Sequence, residues 1–334
     1  MLRHVGNTRQ EGSVNMEGKR IIIDTDIGPD CDDVGAIALA NIYENYNLCN
    51  IIGIGHCTSN QYGAGTIDVI CGFYGHPNIA IGTYYGNGFL ADENCMRYNQ
   101  KITMQFPNRY RTQKPEEVVS MYRRLLSCQE DHSITFVAIG PLNNLAALIE
   151  SKADVYSELD GYNLVSKKVS SLVSMGGIFH SGNEEQEAIT EREIQCPIDE
   201  YKEFNIYCDI KSAQKIAERW PTSKTFLGFE LGLMKTGIPC DVAVPDNHPV
   251  KMAYDLYTED GLRQSWDLLT MEYAIDESSK HYILSEPGNI NFDNEGHTIW
   301  KKNKYGKDKY VKLAQPSGQI ASDISRMLSI YKNY

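Results

Sequence analysis

From Lys19 onward, short runs of β-branched apolar residues alternate with stretches patterned for helices, and this alternation admits few architectures. Ile21-Ile22-Ile23 marks a buried strand over residues 20–24, and an Ala-, Ile- and Leu-rich helix is expected over 33–46. Further strands are expected over 49–57, 79–82, 134–139, 171–175 and 224–229, with helices over 66–74, 115–127, 142–150 and 210–219. Strands joined by helices run parallel through right-handed crossovers, so the expected class is α/β, a mainly parallel central sheet flanked by helices. The chain ends differently. Residues 289–292 and 297–301 flank the turn Asp293-Asn294-Glu295-Gly296 as a β-hairpin, and 318–331 close as an amphipathic helix. No repeat, low-complexity tract or linker divides the chain, so one domain is expected over 19–334, after a disordered leader over 1–18 in which Met16 is a second candidate start.

Charge and cysteine usage exclude several classes. With 32 Lys+Arg against 44 Asp+Glu, the net charge of −12 argues against sequence-independent nucleic-acid binding, which depends on basic residues neutralising phosphates. The Lys-rich stretch 301–312 reads as a solvated hairpin flank within this acidic background. No apolar run approaches the roughly 18 residues of a membrane span, and the N-terminus lacks the apolar core of a secretory signal. Nine cysteines, an odd number without clustered spacing, suit reduced thiols and a cytoplasmic protein.

The densest chemistry lies in residues 21–40, IIIDTDIGPDCDDVGAIALA. Asp24, Asp26, Asp30, Asp32 and Asp33 fall within ten residues, after a strand and before a helix, at the strand end where α/β sheets bind ligands. Gathering so many anions costs free energy unless a cation or a set of amides compensates. An aspartate at a helix N-terminus contributes about 1 kcal/mol, which accounts for one or two of these residues but not five. Oxygen donors without Cys/His spacing point to Ca²⁺ or Mg²⁺ rather than zinc.

This loop resembles the signature of the nucleoside hydrolase family, Ca²⁺-dependent N-ribohydrolases of inosine, uridine and related nucleosides, in which D-x-D-x-G-x-D-D precedes an Ala-rich helix. Asp24-Thr25-Asp26-Ile27-Gly28 and Asp32-Asp33 match it, with two extra residues within Pro29-Asp30-Cys31. Thr58-Ser59-Asn60 is similar to the family's Asn loop after the second strand, and His76-Pro77-Asn78-Ile79 to its lead into the third. Gly140-Pro141-Leu142-Asn143-Asn144 resembles its G-P-L-T-N turn. Met175-Gly176-Gly177 through Gly182-Asn183 is similar to its M-G-G-x-x-x-x-G-N loop, Glu203-Phe204-Asn205 to its E-F-N motif, and Trp266-Asp267 to its late aspartate. The matches run in order over nearly the whole chain.

The resemblance implies a Rossmann-like nucleoside hydrolase fold, a homodimer or homotetramer, and a small-molecule nucleoside substrate. It implies Ca²⁺ held by Asp26, Asp33, the Ile139 carbonyl and Asp267, with Asp26 as general base toward a metal-activated water. Asp32, Asn183, Glu203 and Asn205 are then the ribose-binding residues, with Asn60 a further substrate-binding residue and Met175 packing against the sugar. Many relatives place His before the late aspartate. Trp266 there resembles the purine-preferring branch, where indole rings stack on the base, and Tyr84 and Tyr85 are candidate opposite faces.

Two other readings compete. A strand ending in D-x-D also suits a Mg²⁺-dependent phosphotransferase or phosphatase with Asp24 as nucleophile, although that leaves Asp32-Asp33 and Glu203–Asn205 without a task. The two-residue expansion and the long segment after Asn183 also suit a non-catalytic ribosyl-binding homologue.

Overall fold

The computed structural model describes residues 18–330, so the expected leader lies outside the described residues except for Gly18. The central sheet begins with β1 (Lys19–Thr25), β2 (Cys49–His56), β3 (Ala80–Thr83) and the two-residue β4 (Glu116–Glu117). It continues with β5 (Ile134–Ile139), β6 (Val169–Met175) and β7 (Ser223–Leu227). The strands β8 (Lys235–Gly237) and β9 (Leu262–Gln264) form a separate antiparallel ribbon. The last strands are β10 (Tyr282–Leu284), β11 (Gly288–Phe292), β12 (Thr298–Lys302) and β13 (Asp308–Leu313). The main path through the sheet is β12-β11-β13-β7-β6-β5-β1-β2-β3-β4.

Alternation along β1 sorts the core into two layers. Ile21 and Ile23 pack on one face, beneath α1 (Asp32–Asn45) and α2 (Gly63–Phe73). The short α3 (Asn99–Gln105) belongs to the same layer through Ile102. Ile22 packs on the other face, beneath α4 (Val118–Ser127), α5 (Asn143–Glu150) and α6 (Gly161–Lys168). Beyond β6 come α7 (Glu184–Ile194) and α8 (Phe204–Cys208), and α9 (Ile210–Arg219) returns to the second face. The first face is completed by α10 (Pro249–Tyr257), α11 (Trp266–Ile275) and α12 (Ser317–Leu328). The chain is thus a single α/β domain with a mostly parallel sheet between helices. Among the described residues no helix is long and apolar enough to cross a membrane, and none of the nine cysteines is paired.

The structure differs from the expected pattern in three places. The helix expected over 115–127 starts at Val118, because Glu116 and Glu117 pair with β3. The strand expected over 224–229 ends at Leu227, and Phe229–Leu231 turns as a short 3₁₀ segment. Half of the Lys-rich stretch is not a solvated flank. It forms β13, inserted parallel to β7, with Asp308, Tyr310 and Val311 buried. The Lys224 ammonium meets the Asp308 carboxylate at 3.0 Å inside this edge, a charge pair that local hydropathy hides.

Candidate active site

The site lies where the strand order reverses. From β1 the chain lays β2, β3 and β4 outward on one side, then returns to place β5 on the other side of β1. The carboxyl ends of β1 and β5 therefore flank a topological switch point, the preferred ligand crevice of open α/β sheets. Asp26 follows β1 there, and Ile139 ends β5.

The acidic loop is braced from behind. Gly28 adopts a positive φ of 152°, and a Cβ there would lie 2.4 Å from the Cys95 carbonyl oxygen, so the loop can press against its support only with glycine. Asn99 Nδ2 donates to the Ile27 carbonyl at 2.8 Å, Tyr98 Oη to the Asp30 carbonyl at 2.5 Å, and Tyr257 Oη to the Pro29 carbonyl at 2.9 Å. Asn60 belongs to this brace. Its Nδ2 donates to the Cys95 carbonyl at 2.6 Å, and its Oδ1 accepts from Tyr62 N.

Two helices bring the remaining acids together. Asp32 and Asp33 occupy the first turn of α1, and Asp267 the first turn of α11. A Cβ on Gly35 would lie 2.4 Å from Tyr254 Oη and 3.0 Å from Leu268, so this glycine permits the close approach of α1 to that wall. Carboxylate oxygens of Asp32, Asp33 and Asp267 lie within 4.8 Å of one another, all three residues buried. Asp32 Oδ2 accepts from Asp267 N at 3.1 Å, and Thr25 Oγ1 donates to Asp33. Burial pushes Asp26 up to about 8, reinforced by the charges of Asp30, Glu203 and Asp24. Burial likewise holds Asp32, Asp33 and Asp267 well above the carboxylate range, and each is raised further by its acidic neighbours. Several buried carboxylates that raise one another's proton affinity, with oxygen donors alone around them, fit a hard divalent cation.

A cavity of about 310 Å³ opens on this wall, at the small end of the roughly 300–1,000 Å³ typical of ligand pockets. Its walls bring together Asp26, Asp32, Asp33, Ile139, Asp267, Met175, Glu203, Asn205 and Trp266. Glu203 caps α8, accepting from Gly177 N, Asn205 N and Ile206 N, and burial pushes its carboxyl up to about 7. Asn205 Nδ2 donates to Met175 Sδ at 3.2 Å, which fixes both side chains.

Two expected substrate-binding residues lie elsewhere. Asn60 is engaged in the brace behind the loop and does not line the cavity. Asn183 is exposed and caps α7, its Oδ1 accepting from Glu185 N and Gln186 N, because the helix begins directly after it. The aromatic partners of Trp266 are also corrected. Tyr85 is exposed with its hydroxyl on the Pro115 carbonyl, and Tyr84 packs on Phe89. Phe229 and Tyr257 line the cavity instead. The tight acid trio contains Asp32, which the resemblance assigned to ribose, while Asp26 stands beside it on the same cavity.

Asp24 is fully buried and off the cavity, accepting from Tyr122 Oη and from Asn144 Nδ2 at 2.9 Å. A nucleophile must reach its substrate, so the phosphotransferase reading loses its key residue. Arg263 was missed by sequence reasoning: it lines the cavity and pairs with Asp30. Its position three residues before Trp266 was the available signal.

Behind Phe229, Glu230 is 4% exposed and accepts from Phe179 N at 3.0 Å, and burial pushes it up to about 8. The native state therefore keeps a proton that the unfolded chain, at about 4.5, releases. This contribution is fully present below pH about 4.5 and is lost as pH rises through about 8. Glu230→Gln is expected to flatten the fall of Tm over that window by several degrees, measured by calorimetry at fixed metal concentration. Parallel curves for the two proteins would remove Glu230 from the account.

Comparisons with known proteins identify the family and the fold. Residues 21–315 match the family described as inosine-uridine preferring nucleoside hydrolase. No curated protein matches the sequence. The inosine-uridine preferring nucleoside hydrolase of Bacillus anthracis shares the fold at 14% identity and a TM-score of 0.62, over 93% of this chain and 99% of its own. A plant nucleoside hydrolase does so at 20% identity and 0.64, over 93% and 99%. The type III effector protein XopQ, complexed with adenosine diphosphate ribose, does so at 13% and 0.60, over 94% and 93%.

Proposed function

The chain belongs to the inosine-uridine preferring nucleoside hydrolase family, hydrolases of N-glycosyl bonds, and on that premise we propose that it cleaves purine ribonucleosides to ribose and free base, with Ca²⁺ as its metal and Asp26 as general base. One observation carries this reading. A single cavity joins an acidic wall, the polar pair Glu203 and Asn205, and an aromatic end made by Phe229, Tyr257 and Trp266. Asp26, Asp33, the Ile139 carbonyl and Asp267 would hold the cation. Bound there, Ca²⁺ would supply the positive charge that keeps these carboxylates ionised and the Lewis acidity that favours ribose hydroxyls and water.

The chain's own residues then act in sequence. Ionised Asp26 accepts a proton from the water whose oxygen bonds to C1′. The electron pair of the C1′–N bond leaves with the base, which takes a proton from solvent while Asp26 releases its own to solvent, and the ring oxygen shares the developing positive charge. Asp32, Glu203 and Asn205 hydrogen-bond the ribose hydroxyls, and Met175 packs on the sugar. A missing hydroxyl would leave buried polar groups unpaired, so ribosides are favoured over deoxyribosides. No histidine lines the cavity among the described residues, so base departure depends on its aromatic surroundings. The proposed assembly, a homodimer or homotetramer, rests on the family resemblance.

The test is release of reducing sugar over a nucleoside panel, with and without chelator. Ribose from purine nucleosides is the expected result, and nucleoside binding without release would support the ribosyl-binding homologue instead. Stacking on an aromatic contributes about 1–3 kcal/mol per base, so Trp266→Ala should lower purine kcat/KM by about tenfold or more. Uridine should lose clearly less. Equal loss on both would remove the stacking argument.

A further inference from the structure

The aromatic end of the cavity holds a cation in a fixed orientation. Arg263 shares the lining with the carboxylates of Asp26, Asp30, Asp32, Asp33, Glu203 and Asp267, and no other described lining residue is cationic. Its Nε donates to both oxygens of Asp30 at 2.9 Å, and its Nη2 to Asp30 Oδ2 at 2.5 Å. Its Nη1 donates to Gln264 Oε1 at 2.7 Å. The guanidinium carbon stands 5.3 Å from the Trp266 ring centroid and 5.6 Å from that of Tyr257. A guanidinium carries five N–H groups, so one on each terminal nitrogen has no partner among the described residues.

The neighbouring aromatics add no donor. Trp266 Nε1 donates to the Phe229 carbonyl at 2.8 Å, and Tyr257 Oη to the Pro29 carbonyl at 2.9 Å. This end of the cavity is therefore lined by a guanidinium whose charge Asp30 balances and which keeps two N–H donors to spare. We infer that Arg263 is the base-selecting residue, donating to N7 and O6 of a 6-oxopurine, so that inosine and guanosine are taken in preference to adenosine. The inference rests on the ribonucleoside reading above.

The chemistry follows from the base edges. A 6-oxopurine presents two acceptors, N7 and O6, whereas adenine presents one acceptor and an amino donor. A donor-only guanidinium satisfies the first edge and opposes the second. Asp30, within the two-residue expansion of the acidic loop, is then a positioning residue that sets the orientation of Arg263. The competing explanation is a strap that only ties the loop to β9.

The experiment compares kcat/KM for inosine, guanosine and adenosine in the Ca²⁺-loaded wild type, Arg263→Met, Arg263→Lys and Asp30→Asn. p-Nitrophenyl β-ribofuranoside, whose leaving group lacks the N7/O6 edge, controls for the ribose end. The wild type should favour inosine over adenosine by about 10- to 100-fold, the range of one bidentate contact. Arg263→Met should erase most of that preference, losing about tenfold more on inosine and guanosine than on adenosine and the p-nitrophenyl riboside. Arg263→Lys, which keeps the charge and loses the fork, should lose the preference as well, and Asp30→Asn should fall between. Equal loss on all substrates, or no wild-type preference, overturns the proposal. If no riboside is hydrolysed, the hydrolase reading fails separately, and calorimetric binding of hypoxanthine and adenine decides the role of Arg263. Hypoxanthine preferred by about tenfold, with the preference lost in Arg263→Met, upholds it, and equal binding overturns it.

Discussion

Replacing Asp26 with asparagine is expected to lower ribose release by about three orders of magnitude while leaving the fold intact, since a positioned general base contributes roughly 10²- to 10⁴-fold. The amide keeps the shape of the carboxylate but accepts no proton and ligates a cation poorly, so two roles fail together. The stability side has the opposite sign. Burial pushes the Asp26 carboxyl up to about 8, so without metal its ionised form is disfavoured at neutral pH. The variant removes that cost, and its metal-free Tm should equal or exceed that of the wild type. Ribose release near the wild-type rate would remove Asp26 from its role, and a collapsed Tm would show a structural one.

Exhaustive chelation is expected to abolish measurable turnover and to lower Tm by several degrees, with both restored by Ca²⁺. The acid trio of Asp32, Asp33 and Asp267 is buried and mutually repelling, so a cation that binds only the folded state relieves that strain. At a free concentration of 100 times Kd the linkage amounts to about 2.7 kcal/mol. Because the ligands must lose protons, the Tm difference between loaded and chelated protein should widen as pH rises. Turnover unaffected by chelation would overturn the metal assignment.

The strand, helix and acidic loop at the start of the domain were legible because each signal is local. Ile21-Ile22-Ile23 gives a buried strand, and five clustered aspartates demand compensation wherever they lie. Trp266-Asp267 was legible through the family pattern. The arrangement around these residues was not. Whether Asn183 faces a ligand depends on where a helix starts, and here it caps α7. The pairing of Asp30 with Arg263 joins residues 233 positions apart, which no periodicity reports. In β13, Lys309 and Lys312 conceal a strand whose Asp308, Tyr310 and Val311 are buried. Tyr84 and Tyr85 were drawn toward the base by their place after a strand, but the aromatic wall comes from Phe229 and Tyr257, farther along the chain.

The contact between Asp32 and Asp267 spans 235 residues. On a ribosome adding about 5–20 residues per second, the acids near the N-terminus precede their partner by about 12–47 seconds. Throughout that interval the acidic wall of the cavity lacks Asp267. The wall of the cavity is therefore closed only once the α11 segment has been made, late in the synthesis of the domain.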